Sequence, residues 1–332
     1  MKKIMVVSLL ILVMWNPIKV QAASGNFSVE AIIPENQINP YVTFFDISLE
    51  PGATQTLEVL LVNHGDYEII VLQEVNSART NNNGVIDYNQ SNVQRDPTLV
   101  HSFADIATFN DTIILPARSS KTVEIEINLP DEPFEGVILG GLRYQEKIPE
   151  NHVSNAQIEN RFAFVLGLRI SVGDVSELEP QLQLNDIFPS QRNYRNMLEV
   201  NLQNTEAMMV SELVVDARVY MVGDASPIRT AYNLQMRMAP NSNFNFPISW
   251  EYQPFVDGEY ILEMTVIADG RVWNFREYFT IDNSEELNEI AILEENLHEI
   301  NPLLLIALAV ATGAVLGIGI MKIVNKRKKK DD

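Results

Sequence analysis

Thr122-Val123-Glu124-Ile125-Glu126-Ile127-Asn128-Leu129 alternates apolar and polar residues from its second position to its last. On a strand, where successive side chains point to opposite faces, Val123, Ile125, Ile127 and Leu129 share one face and Glu124, Glu126 and Asn128 the other. On a helix the same apolar residues would be spread around the axis, with no face to bury. The stretch therefore reads as a half-buried strand. Similar short runs recur at 27–32, 56–62, 67–75, 198–202, 213–221, 260–267 and 271–281, separated by Pro, Gly, Asn and Asp clusters. Asp269-Gly270 leaves only two loop residues between two of these runs, a strong hairpin signal because both residue types tolerate positive φ. Many short strands at regular spacing predict an all-β chain of two immunoglobulin-like β-sandwich domains.

The polar stretch 145–160, which contains Pro149, Asn151, Asn155 and Asn160, follows neither the strand nor the helix period and marks a boundary. It divides the chain into a first domain at 27–149 and a second at 159–283. Beyond them, Ile290, Leu293, Leu297 and Ile300 follow helical spacing, and Asn283 with Glu286 offers a capping box. These residues predict a juxtamembrane helical stalk over 284–301.

The ends of the chain carry targeting signals. Lys2 and Lys3 precede an apolar run at 4–15, and Ala22-Ala23 supplies small residues for cleavage, which predicts a signal peptide over 1–23. The uncharged run 303–321 matches the thickness of a bilayer and is followed by Lys322 and the basic cluster 326–330. It predicts one transmembrane helix over 302–322, a cytoplasmic tail over 323–332 and a single-pass plasma-membrane protein with its N-terminal bulk outside.

Composition removes several classes of function. The 332 residues include no cysteine, so disulfide scaffolds, thiolate metal sites and cysteine nucleophiles are excluded. The formal net charge is −20, and because a basic cluster sits in the tail, the remainder is more acidic still. Such a surface disfavours nucleic acid and wall phosphates as partners. His64, His101, His152 and His298 show no paired ligand spacing. The stretch from Arg79 to Gln90 lacks the acidic residues of a calcium loop at both ends. No nucleophile elbow, phosphate-binding loop or dinucleotide fingerprint is present. The chain reads as non-enzymatic, with no cofactor.

Gly136-Val137-Ile138-Leu139-Gly140-Gly141 suits a core strand that another segment approaches closely, or an edge against which a glycan or peptide lies. Exposed rings stack on sugars, and Tyr88, Phe134 and Tyr144 stand beside loops as candidate ligand-binding residues, with Tyr194 as a further aromatic.

Several stretches together resemble the WxL-interacting protein family of Gram-positive bacteria. In the first domain they are Phe27-Ser28-Val29-Glu30-Ala31, Pro34-Glu35-Asn36-Gln37, Phe45-Asp46, Pro51-Gly52, Asn83-Gly84-Val85-Ile86-Asp87-Tyr88, and Phe134-Glu135 running into the glycine-rich segment. In the second they are Arg161-Phe162-Ala163-Phe164-Val165-Leu166-Gly167, Asn201-Leu202-Gln203-Asn204 and Met238-Ala239-Pro240-Asn241-Ser242-Asn243-Phe244. The resemblance implies a first domain that binds peptidoglycan and a second that binds a host protein. It also implies cell-surface partnership with WxL proteins and a role in adhesion, without a catalytic motif. Two other readings are a fimbrial-chaperone-like module, which would need a long unpaired edge strand beside the inter-domain loop, and a wall hydrolase, which would need convergent carboxylates.

Overall fold

The computed structural model describes residues 27–89, 94–148 and 162–291, and many of its strands alternate buried residues with exposed or half-buried ones. The first half contains β1 (Phe27–Ile32), β2 (Phe45–Leu49), β3 (Thr54–Asn63), β4 (Ile69–Ser77), β5 (Arg79–Thr80) and β6 (Ile86–Asp87). It continues with helix α1 (Phe103–Ile106), β7 (Ala107–Thr108), β8 (Thr112–Leu115), β9 (Ser120–Asn128), β10 (Gly136–Glu146) and β11 (Ala163–Val172). The opening octapeptide falls mostly in β9, with Val123, Ile125 and Ile127 buried and Glu124 and Glu126 exposed. Two sheets, ordered β1-β3-β9-β7 and β2-β11-β10-β4-β8, close over one apolar core.

The second half contains β12 (Leu182–Arg192), β13 (Arg195–Asn204), β14 (Val210–Met221), β15 (Arg229–Met238), β16 (Ser242–Ser249), β17 (Gly258–Ala268), β18 (Arg271–Ile281) and helix α2 (Ser284–Ile290). Sheets β12-β13-β16 and β15-β14-β17-β18 enclose a second core. Asp269-Gly270 joins β17 to β18 as expected, with Ala268 paired to Arg271 and positive φ of 47° and 83° at the two turn residues.

By the sequence boundary β11 would open the second domain. It instead pairs with β10 from Gly136↔Val172 to Gln145↔Ala163, and in parallel with β2 from Leu168↔Phe45 to Val172↔Leu49. The reason is packing: Leu168, Ile170 and Val172 project into the first core, and the slot between β10 and β2 is where that core needs them. The chain thus completes its first sandwich after the 145–160 connection.

β10 is a central strand, and Gly140 is the point of closest approach on it. A Cβ there would stand 2.3 Å from the Phe103 ring and 2.8 Å from Asn76 O. Gly140→Val is expected to cost about 3 kcal/mol through overpacking. Thermal unfolding should show a lower midpoint with and without any wall ligand.

The membrane layout expected from the sequence is corrected. Among the described residues no helix is long and apolar enough to cross a membrane, so a single-pass plasma-membrane placement is without support. The signal peptide at 1–23 and the runs at 302–322 and 323–332 lie outside the described residues. The helical stalk is corrected too, because the described helix ends at Ile290 and Ala291 turns extended and is buried. Helix α2 packs against the second sandwich: Asn288 Oδ1 accepts from Phe255 N at 2.9 Å and from Asn196 Nδ2 at 2.9 Å, and Asn288 Nδ2 donates to Phe255 O. Asn283 makes no side-chain cap bond; Ser284 N donates instead to Oδ1 of Asp257, which precedes the neighbouring strand β17. Hydrogen bonds from Ser284 hold the Asp257 carboxyl below its ordinary pKa.

Candidate functional site

The two sandwiches meet through polar side chains rather than a shared apolar core. The β5–β6 hairpin of the first reaches β15 and β16 of the second. Thr80 Oγ1 and Ser242 Oγ are 2.6 Å apart, and Ala239 N donates to Thr80 Oγ1 at 3.0 Å. Arg237 N donates to Gly84 O at 2.7 Å, and Asn245 N donates to Asn82 Oδ1 at 3.1 Å.

Behind the hairpin lies Asp96, which is 8% exposed. Gln203 Nε2 donates to its Oδ1 at 2.7 Å and Asn243 Nδ2 to its Oδ2 at 2.5 Å, while Thr98 N and Thr98 Oγ1 also donate to Oδ1. Burial pushes the Asp96 carboxyl upward, but the bonds from Thr98, Asn243 and Gln203 outweigh that and hold its pKa below the ordinary value. Asp96 is thus an ionised link between the first sandwich and two strands of the second.

The amides that hold Asp96 belong to a ladder on the outer face of the β12-β13-β16 sheet. Strand register sets Gln203 between Gln183 and Asn243, and Asn201 beside Asn245. Asn185 Nδ2 donates to Asn201 Oδ1 and Gln203 Oε1, and Asn201 Nδ2 donates to Asn243 Oδ1 and Asn245 Oδ1. The alternation Asn201-Leu202-Gln203 and Asn243-Phe244-Asn245 is visible in the sequence. Any exposed strand alternates polar residues in that way, so the pattern by itself assigns no role to them.

Two recesses flank this joint. One is a cleft of about 400 Å³ whose walls include Arg79, Asn82, Arg95 and Asp96 on one side and Asn243 and Asn245 on the other. The second, of about 250 Å³, is lined by His101, Phe134, Glu206 and Asn241. In it the His101 and Phe134 rings lie with centroids 4.1 Å apart and planes tilted by 34°.

The structure separates the residues proposed from the sequence. Phe134 is half-buried at the second recess. Tyr88 is also half-buried, resting on Gly141, where an added Cβ would come within 2.8 Å of Tyr88 Cβ. Burial pushes the Tyr88 phenol up, and the charge of Arg237 opposes that. Tyr144 is fully buried in the first core, beside Gln73 across the β10–β4 pair, and is closed to any external ligand. Burial raises its phenol pKa far above the ordinary value. Tyr194 is exposed in the β12–β13 turn, away from both recesses. Among the described residues no group of three or more His, Asp or Glu could hold a metal ion.

Comparison with known proteins also divides the chain in two. Residues 27–146 match the family model described as WxL Interacting Protein, peptidoglycan binding domain, and residues 153–289 match WxL Interacting Protein, host binding domain. The second match begins before β11, so its span includes a strand that packs in the first sandwich. No curated protein matches the chain. Similar solved structures include the CsuC–CsuE chaperone–tip adhesion subunit pre-assembly complex of Acinetobacter baumannii, at 13% identity over 67% of this chain and 90% of that one, with a TM-score of 0.33. The E. coli chaperone DraB is 13% identical over 77% of this chain and 95% of its own, with a TM-score of 0.30. The Salmonella enterica SafA pilin in complex with the SafB chaperone is 13% identical over 78% and 99%, with a TM-score of 0.29. Scores this low carry no argument about function. With both of its domain descriptions matched in order along the chain, this protein belongs to the WxL-interacting protein family.

Proposed function

We propose that this chain is a non-enzymatic cell-surface adaptor in which the first domain holds peptidoglycan and the second engages a WxL surface protein or a host extracellular protein. The observation that supports the reading most directly is that the peptidoglycan-binding and host-binding descriptions match successive halves of a two-sandwich chain. Near the joint the first sandwich offers an aromatic pair in a recess, suited to stacking against a sugar ring.

The second sandwich offers the outer face of its four-stranded sheet. There Tyr278, Ile261 and Tyr220 form one row and Val272, Ile267 and Val214 another, with Arg276, Glu263 and Arg218 as a charged row between them. Partly exposed apolar rows with interleaved charge suit a protein surface better than a sugar. A strand-donating role is less well supported, because β10 and β11, which flank the 145–160 connection, are each paired on both sides.

The test is sedimentation of the full chain with purified wall sacculi. Wild-type protein should co-sediment, and Phe134→Ala should weaken retention about 2- to 10-fold, from ~0.5–1.5 kcal/mol of lost ring stacking. Because the chain is strongly acidic, retention should persist at high salt. Wild-type protein that stays in the supernatant would remove the wall assignment, and retention lost on adding salt would show attraction between charges as its cause.

A further inference from the structure

We propose that the cleft between the sandwiches is a glycan site that takes an uncharged, acetamido-bearing sugar segment, with both domains supplying its walls. The proposal rests on the reading of the chain as a peptidoglycan binder and adds to the Phe134 recess a second contact for the same polymer, at a place which neither domain forms alone. The cleft's volume of about 400 Å³ falls within the ~300–1,000 Å³ typical of small-ligand sites.

Its charges are already matched from within. Arg79 pairs with Asp87 at 3.2 Å, Arg95 pairs with Asp105 at 2.5 Å, and Asp96 is bonded to Gln203 and Asn243. A cleft neutralised in this way offers little to a phosphate polymer or a cation. The chemistry left over is that of neutral hydrogen bonding. Asn82 uses only its Oδ1 among the described residues, which leaves its amide N–H groups for a ligand oxygen. Asn76 also lines the cleft, is 1% exposed, and donates through Nδ2 to Tyr88 O, while its Oδ1 has no partner. Arg79 Nε is a buried donor in the same wall that also lacks a partner. An unpartnered acceptor and unused donors lining one cleft are the groups that an acetamido N–H and C=O would satisfy.

A peptide strand fits less well. β16 is an edge strand at the cleft, but Asn245 N already donates to Asn82 and Asn245 O already accepts from Arg192. The backbone groups that a docking strand would pair with are therefore bonded at that point.

Calorimetry of the full chain with chitohexaose, cellohexaose and a peptidoglycan stem peptide tests the proposal. Chitohexaose should bind, cellohexaose, which lacks acetamido groups, should bind roughly tenfold more weakly or not at all, and the stem peptide should not bind. Ala104→Trp fills the cleft from an exposed lining position without removing a hydrogen bond, and Asn82→Ala removes one wall amide. Each should weaken chitohexaose binding by roughly tenfold or more. If Ala104→Trp fails to fold, Asn82→Ala decides. Chitohexaose affinity unchanged in the folded variants, equal affinity for cellohexaose, or stem-peptide binding that Ala104→Trp abolishes would each overturn the cleft as a glycan site, while wild-type sedimentation with sacculi would leave the wall-binding reading standing. Failure of the wild-type chain to sediment would remove the reading and the cleft proposal together.

Discussion

A fragment ending near residue 150 is expected not to fold, whereas one extended to about residue 174 should unfold cooperatively. The shorter fragment lacks β11, which lies between β10 and β2 in the five-stranded sheet. It would lose Leu168, Ile170 and Val172, which are 1%, 0% and 0% exposed, and would strip β2 of its only sheet neighbour among the described strands. Deleting buried aliphatic side chains costs about 2–5 kcal/mol each, so three amount to roughly 6–15 kcal/mol. A domain's whole stability is about 5–15 kcal/mol. Circular dichroism and thermal unfolding of the two fragments would settle the comparison. A cooperative transition in the shorter one, at the midpoint of the longer, would mean that β11 is dispensable to the first sandwich.

Asp96→Ala is expected to loosen the joint between the sandwiches while leaving each sandwich folded. The substitution strands the Gln203 and Asn243 amides, each at a cost of about 1–3 kcal/mol where the site stays closed. The joint can relieve that cost by opening to water. Calorimetry should then resolve two transitions in place of one coupled transition, and small-angle scattering should record a larger radius of gyration. Because the Asp96 pKa is lower in the folded joint than in an unfolded chain, its contribution is fully present above the unfolded value of about 3.9. It is lost as pH falls through the lower folded value. Wild-type coupling should therefore be flat from neutral pH to about pH 5 and weaken only in stronger acid. An Asp96→Ala chain with wild-type dimensions and a single transition would show that the hairpin contacts of Thr80, Asn82 and Gly84 hold the joint without the carboxylate.

Local alternation makes strands such as β3, β9 and β17 legible in the amino-acid sequence, because the strand period is written residue by residue: Val123-Glu124-Ile125 needs no distant partner to declare its two faces, whereas β2, β12, β15 and β16 fall outside the runs that it marks. The Asp269-Gly270 turn is legible for the same reason, since a two-residue loop constrains its own backbone. The motifs around Asn83–Tyr88 and Met238–Phe244 likewise point to the family without a fold. Their meeting at the joint is another matter, since Thr80 and Ser242, or Asp96 and Asn243, are brought together only when two finished sandwiches dock.

What the tertiary structure alone decided is which of several equivalent patterns is buried and against what. Tyr88, Phe134 and Tyr144 are all aromatic and all near loops, yet the third is sealed in the core and the second faces a recess. Tyr144 is on the core side of the central strand β10, whereas Phe134 lies in the loop before it and rests against His101. β11 carries the same alternation whichever sandwich it joins, and the cavity between β10 and β2 selects the first. The helical spacing after Ser284 is real in sequence, but Asn288 bonds to Phe255 and Asn196, so its described turns lie on the second sandwich. Period and turn chemistry are properties of neighbours along the chain; partner choice and exposure depend on residues tens to more than a hundred positions away.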